Sequence, residues 1–209
     1  MAIGHFNMNA LLQVVEVAGI IAFASSGLIE ARNKQMDAVG VFTVAFITAF
    51  GGGTLRDLLL DRRPLFWVEH QEYLMLIFVM TLVGIPLLKH VRSTVAERLL
   101  VYVDALGLGL FSVTGASLAA DASMPLVVCV MMGVMTGIVG GVLRDVICNE
   151  IPMVFRRGQL YATCSFFGCW VFLICSHLAS AQAVALIAGI LVTFIMRLAA
   201  LHFNLKLPS

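Results

Sequence analysis

The segment GGGTLRD at residues 51–57 returns as VGGVLRD at 139–145, and the chain on either side realigns at that same offset of 88 without a gap. Upstream, Glu16 meets Asp104, Gly19 meets Gly107, Phe23 meets Phe111, Ser26 meets Thr114 and Gly27 meets Gly115. Downstream, Pro64 meets Pro152, Trp67 meets Phe155 and Tyr73 meets Tyr161. Chance similarity between apolar segments does not align charges, glycines and prolines together. The chain is a duplication, and both copies must satisfy the same packing constraints.

What the copies are built from follows from the scarcity of charge. Of 209 residues, 61% are apolar and 12% are Asp, Glu, Lys or Arg, where a soluble domain has roughly 45–50% and about 25%. Stretches bounded by EARNKQMD, DRRPLFWVEHQE, KHVRSTVAER, ADASMP, NEIPMVFRRGQ and HLASAQ place spans near 10–30, 38–60, 72–88, 99–120, 124–148, 160–177 and 182–202. Their lengths suit the roughly 20 residues that cross a bilayer core. The breaks are too short for a second domain, so one membrane domain covers 1–209, with repeat one at about 10–88, repeat two at about 98–177 and a seventh helix at about 182–202. Three spans per copy is an odd number, so the second copy enters the membrane from the opposite side. The expected fold is all-α and polytopic: an inverted 3+3 repeat plus one C-terminal helix.

The N-terminal MAIGHFNMNALLQ lacks the positive region and cleavage site of a secretory signal, so the first apolar run is expected to stay as a membrane helix. An N-terminus outside puts Arg32, Lys34, Lys89, Arg92, Arg98, Arg156, Arg157, Arg197 and Lys206 on or near the cytoplasmic side and leaves only Arg62 and Arg63 in an outer loop. That is the asymmetry of the positive-inside rule.

Other function classes find little support. A net charge of +1 offers no basic surface for nucleic acid. Five cysteines without a C-x-x-C pair read as packing groups, not as a disulfide framework or zinc site. There is no G-x-S-x-G, H-E-x-x-H or G-K-[ST], so no enzyme is expected. His5, His70, His90, His177 and His202 sit at loops and span ends and read as interfacial, as do Trp67, Tyr73, Tyr102 and Tyr161.

On a 3.6-residue helix, Glu16, Gly19, Phe23 and Ser26 share one face, as do Asp104, Gly107, Phe111 and Thr114. That face is either helix packing or pore lining. The second and fifth spans each carry two stripes. Ala45, Ala49 and Gly53, with Gly133, Gly137 and Gly141, form small-residue rows for helix contact within or between subunits. Thr48, Gly52 and Arg56, with Thr136, Gly140 and Arg144, form polar rows that are candidates for a water-lined path. Gly51, Gly52, Gly53, Gly140 and Gly141 each cost about 1 kcal/mol relative to alanine in a helix. They are expected to mark a kink or unwound turn whose freed carbonyls could meet cations.

Glu16 and Arg56 fall at similar depth near the outside, and Asp104 and Arg144 near the inside, which predicts two ion pairs. An unpaired arginine in hydrocarbon costs at least about 2.5–3.5 kcal/mol. Asp57 and Asp145 are the competing partners, but each lies about 100° around the helix from its arginine and is expected to face a loop or helix end. Arg197 is expected to snorkel to the headgroups.

The motifs GGGTLRDLLLDRRPLFWV and GGVLRDVICNEIPMVF, with seven spans in 3+3+1 order, resemble the prokaryotic trimeric intracellular cation (TRIC) channel family, whose bacterial members are also described as having paired glycine transporter domains. The resemblance implies a bacterial inner-membrane homotrimer, each subunit with its own pore, passing monovalent cations, chiefly potassium, with no cofactor beyond a permeant potassium or sodium ion. It carries the kinks of the second and fifth helices onto Gly51, Gly52, Gly53, Gly140 and Gly141, although Val139 replaces the first glycine of the second copy. The lysine-containing inositol-lipid signature of animal members is not evident. The same resemblance implies an alternative, a carrier of glycine or other small neutral amino acids, and a third reading is an assembly protein whose small-residue stripes only build a trimer.

Overall fold

A computed structural model describes residues 8–89, 91–156, 160–178, 182–203 and 205, so His5, His90, Arg157 and Lys206 lie outside the described residues. All regular structure among those residues is helical: α1 (Met8–Asn33), α2 (Ala38–Leu59), α3 (Phe66–Glu69), α4 (Gln71–Lys89), α5 (Ser93–Asp121), α6 (Leu126–Ile147), a 3-10 turn (Met153–Phe155), α7 (Ala162–Leu178) and α8 (Gln182–His202). Six of these, α1, α2, α4, α5, α6 and α8, are long and apolar enough to cross a membrane, and α7 is a shorter apolar helix of 17 residues. The four-residue α3 lies where an irregular loop is expected from sequence. Helix α5 begins at Ser93, six residues before the apolar run suggests, because its polar first turns remain helical with Glu97 and Arg98 exposed.

The ends of the helices repeat as the sequence does. Beyond α1, Gln35 takes a φ of 55° and Met36 N–H reaches back to Ala31 O at 3.1 Å; beyond α5, Ser123 takes 58° and Met124 N–H reaches Ala119 O at 3.1 Å. After α2 and α6 the same left-handed closure falls on Asp61 and Asn149, with Arg62 and Glu150 donating to Asp57 O and Asp145 O, each at 2.8 Å. This reverse turn satisfies carbonyls that the helix end leaves open. At the start of α2, Asp37 accepts from Gly40 N–H at 2.8 Å and supplies the N-cap.

Packing follows the same division. Helices α1, α2 and α4 contact one another, as do α5, α6 and α7; the trios meet through α1 against α5 and α2 against α6, while α8 packs on α7 and α5. Phe23 and Phe111, equivalent in the repeat, stack at the first joint with centroids 5.3 Å apart and planes 11° from parallel. They fit because Gly19 lies under Phe111 and Gly107 under Phe23. Leu74, Phe78, Leu82, Ile187, Leu191 and Ile195 stay exposed on the outer faces of α4 and α8, a surface too apolar for water.

The glycine motifs do not unwind their helices. Both α2 and α6 run unbroken through Gly51–Gly53 and Gly140–Gly141. A Cβ on Gly52 would overlap the Thr136 carbonyl oxygen, and one on Gly140 would overlap the Thr48 carbonyl oxygen. The glycines cost helix propensity because two backbones must touch there, a closer approach than any side chain permits. The contact is reciprocal, since Gly52 and Gly140, like Thr48 and Thr136, are equivalent positions of the repeat.

The small-residue rows are resolved as contacts within the chain. Gly133 and Gly137 lie against Ser112 on α5, and Ala45 lies against Gly27 on α1. Ala45 and Ala49 are fully enclosed.

Candidate functional site

The residues flanking that crossing form two charge clusters. In the first, Arg56 Nη1 lies 3.0 Å from Glu16 Oε1 on α1, while its Nε and Nη2 each lie 2.8 Å from Asp57 Oδ1. In the second, Arg144 Nη1 lies 2.7 Å from Asp104 Oδ1 on α5, and its Nε and Nη2 each lie 2.8 Å from Asp145 Oδ1. Each guanidinium therefore faces two carboxylates. Both arginines are buried.

Asp57 and Asp145 pair with their neighbouring arginines instead of only facing away. Adjacent residues diverge by about 100° on a helix, but the long arginine side chain curls back along its own helix end. The second oxygen of each aspartate keeps the expected loop-facing role. Asp57 Oδ2 accepts from Phe66 N–H at 2.9 Å and Asp145 Oδ2 from Met153 N–H at 3.0 Å, so both pin the segment that follows the helix.

The clusters differ in their surroundings. Glu16 is 13% exposed, whereas Asp104 is 1% exposed. Tyr161 O–H donates to Asp104 Oδ2 at 2.9 Å, and Arg144 Nη1 also reaches Ser26 Oγ across the joint at 2.9 Å. No matching bond joins Tyr73 to Glu16, or Arg56 to Thr114, among the described residues; Thr114 is bonded to the Leu110 and Phe111 carbonyls instead. Tyr161 and Tyr73 are thus buried groups and not interfacial ones. Tyr102, by contrast, is 53% exposed.

Arg197 does not snorkel. It is 2% exposed, with Cζ 4.7 Å above the Tyr161 ring, Nη1 3.4 Å from Leu160 O and Nη2 3.9 Å from Met153 Sδ. A lone arginine near the end of an apolar helix gave no signal of this; only its position relative to Tyr161 does.

Each cluster touches a cavity at one end of the bundle. One, of about 590 Å³, includes Gln13, Glu16, Arg56, Arg62, Glu69, Thr114 and Asp121. The other, of about 690 Å³, includes Glu30, Lys34, Glu97, Asp145, Glu150 and Arg156. They lie at opposite ends of α1, since Gln13 and Glu30 are 17 residues apart, about 25 Å at 1.5 Å per residue. A third cavity, of about 730 Å³ between α5 and α8, touches neither cluster. Between the two vestibules Thr48, Thr136, Ser26, Phe23 and Phe111 are all buried, and Thr48 and Thr136 turn their hydroxyls onto carbonyls of their own helices at 2.6 Å. The polar rows, expected as a water path, are here a closed helix contact.

At the rim of the second vestibule, Lys34 Nζ meets Glu150 Oε1 at 2.6 Å. The hydrogen bond lowers the Glu150 carboxyl below its ordinary range and raises the Lys34 ammonium. All five cysteines are free thiols.

Two like halves packed around buried ion pairs, with a vestibule at each end, define the architecture of helical membrane channels and carriers. A family model described as Glycine transporter matches residues 13–89 and again 101–177. The inner membrane protein YadS of Escherichia coli (strain K12) is 36% identical over 200 residues, covering 95% of this chain and 96% of that protein. The TRIC trimeric intracellular cation channel orthologue from Rhodobacter sphaeroides superposes with a TM-score of 0.87 at 33% identity, covering 93% of this chain and 99% of that one. A prokaryotic TRIC channel solved in 0.5 M KCl gives a TM-score of 0.89 at 29% identity, covering 95% and 100%. The chain belongs to the TRIC channel family. These relatives are described as channels or as membrane proteins.

Proposed function

We propose that the chain is a channel for monovalent cations, chiefly potassium with sodium as the alternative ion, working as a homotrimer with one pore in each subunit and without a cofactor. The observation that carries this reading is charge balance. Each buried guanidinium faces two carboxylates, so each of these three-residue clusters has a formal charge of −1 beside its vestibule, with Arg197 a further cation behind the second. An arginine alone beside a cation path would repel the ion; an arginine outnumbered by carboxylates orients them and leaves a net attraction. The trimer follows the description of the Rhodobacter sphaeroides orthologue as trimeric.

In this reading the two trios are inverted repeats of about 10–88 and 98–177, and α7 is the remaining crossing, its 17 residues spanning about 26 Å. The N-terminus lies outside and the C-terminus in the cytoplasm of the bacterial inner membrane. The first vestibule is then external and the second cytoplasmic. The closed joint at Thr48, Gly52, Thr136 and Gly140 is the constriction, and separating α2 from α6 there joins the vestibules past Ser26 and Thr114. Ala45, Ala49, Gly133 and Gly137 stay packed on α1 and α5 while Gly51, Gly53 and Gly141 supply slack beside them. In this role Glu16, Arg56, Asp57, Asp104, Arg144 and Asp145 attract cations and hold the helix ends.

One observation favours a carrier of glycine or another small amino acid: one cluster is sealed while its repeat-related partner is open, the asymmetry expected of alternating access. Reconstituted protein tested for potassium current and for uptake of labelled glycine separates them. Unitary currents that do not saturate support the channel; saturable uptake without unitary currents supports the carrier; silence in both overturns each.

A further inference from the structure

Helix α8 lies outside the duplication, yet its Arg197 reaches the second cluster from behind. Both carboxylates of that cluster are held by residues Arg197 touches. Asp104 Oδ2 accepts from the Tyr161 hydroxyl at 2.9 Å, and Asp145 Oδ2 accepts from the Met153 N–H at 3.0 Å. Arg197 lies over the face of the Tyr161 ring at 4.7 Å and places Nη2 3.9 Å from Met153 Sδ. Its Nη1 lies 3.4 Å from Leu160 O, the carbonyl just before Tyr161. One side chain thus touches the connection between α6 and α7 both in its middle, at Met153, and at its α7 end, at Leu160 and Tyr161.

The chemistry of the grip is specific. A cation over an aromatic face is attracted by the ring's negative quadrupole. It also draws electron density from the phenol, which makes the O–H a stronger donor to a carboxylate. Among the described residues, no arginine from a further helix backs the first cluster in this way. There Arg56 itself lies 5.2 Å from the Phe66 ring, and Tyr73 makes no bond to Glu16 among the described residues. The difference between a sealed and an open cluster therefore coincides with the presence of Arg197.

We propose that Arg197 is a positioning residue of the conduction site: through Tyr161 and Met153 it clamps the α6–α7 connection onto Asp104 and Asp145 and keeps the second vestibule closed at its floor. The proposal rests on the channel reading only for its electrical consequence; the clamp itself is a property of the fold. Opening at this end requires the Tyr161–Asp104 bond to break, so α8 sets the threshold for one end of the path and leaves the other end free.

The test uses full-length protein in liposomes and two readouts. The first is peptide-resolved iodoacetamide labelling of Cys148, a buried thiol just beyond α6, at the start of the clamped connection and in electrostatic reach of Arg144 and Asp145. The second is potassium current. Arg197→Ala and Tyr161→Phe are each expected to raise the labelling rate and the open probability about tenfold, the scale of losing one charge-assisted hydrogen bond. The double variant is expected to fall well short of the product of the two single effects, because both side chains act on the same connection. Arg197→Lys, which keeps a cation at the ring, is expected to restore most of the protection. Tyr161→Phe removes one oxygen and no packing volume, so it reads the same bond even where Arg197→Ala fails to assemble. Labelling unchanged in Tyr161→Phe, or additive effects in the double variant, overturns the clamp. Labelling that behaves as expected in protein that passes no current upholds the clamp and overturns the channel reading instead.

Discussion

Arg144 and Asp104 approach to 2.7 Å with each side chain 1% exposed, so neither charge has water as an alternative partner. Arg144→Ala would strand Asp104 and Asp145 together in the interior. Removing one member of a buried pair costs about 3–5 kcal/mol, and that loss is expected for this variant. Arg56→Ala should cost less, because Glu16 is 13% exposed at an open vestibule and water can replace the guanidinium there. Thermal unfolding midpoints of the two variants in one detergent check this ordering; equal losses would refute it.

The glycine run contains residues with different duties. Gly52→Ala drives a methyl into the Thr136 carbonyl oxygen, and Gly140→Ala does the same to Thr48. Neither carbonyl can move without its helix. Each is expected to destabilise the closed contact by about 1–3 kcal/mol, the usual scale of overpacking, and by similar amounts because the sites are repeat-related. Gly51→Ala meets the terminal Leu143 Cδ1 at 2.6 Å, a methyl that can swing aside, so its cost should be smaller. Unfolding midpoints and potassium flux of the three alanine variants separate them; a Gly51 effect as large as that at Gly52 would count against the crossing as the reason for the glycines.

Much of this was legible before any coordinates because the repeat fixes identity and spacing together. Glu16 with Arg56 and Asp104 with Arg144 emerge from depth alone, since span order sets the height of a residue in the membrane. What depth does not set is reach around a helix. An arginine can fold back on its i+1 neighbour, so Asp57 and Asp145 looked like loop-facing residues when they do both jobs. Burial of Tyr161 and Arg197 depends on where α8 docks, and α8 has no partner in the repeat to announce it. Poor helix propensity at the glycines points to a kink or an unwound turn, but propensity is outweighed by tight packing, and Gly52 and Gly140 stay helical, without unwinding, because a neighbouring backbone occupies the space of their missing side chains.

The Lys34–Glu150 pair gives a pH dependence of known sign. Lys34 lowers the Glu150 carboxyl, so that residue's contribution is present above the ordinary carboxylate range and is lost as pH falls through the lowered value. Glu150 raises the Lys34 ammonium, whose contribution is present below the ordinary lysine range and is lost as pH rises through the raised value. The pair is thus intact across neutral pH. A carbon-13 titration of Glu150 should place its midpoint below that of an ordinary glutamate. Lys34→Gln should move it back toward the ordinary value, though not fully, because Arg156 stays within 3.4 Å. A Glu150 midpoint unmoved by Lys34→Gln would show that the 2.6 Å contact does not persist in solution.

The Phe23–Phe111 stack lies at the joint of the halves, beside the constriction proposed at Gly140, with rings 5.3 Å apart and both side chains 1% exposed. Removing one ring takes apolar bulk from the barrier and leaves a space beside Gly19 or Gly107 that the closed helices cannot fill. Phe23→Ala or Phe111→Ala is expected to cost about 3–5 kcal/mol of stability, the usual loss for a buried phenylalanine. Because the lost packing belongs to the closed arrangement, the same variants should raise resting potassium flux in proteoliposomes. Phe42→Ala is the control: it trims the half-buried aromatic group around Phe46 and Phe78, away from both vestibules. It should lower the unfolding midpoint without raising flux. Flux that rises equally in all three variants would mean that any loosening leaks ions, and the stack would then lose its claim to be the barrier.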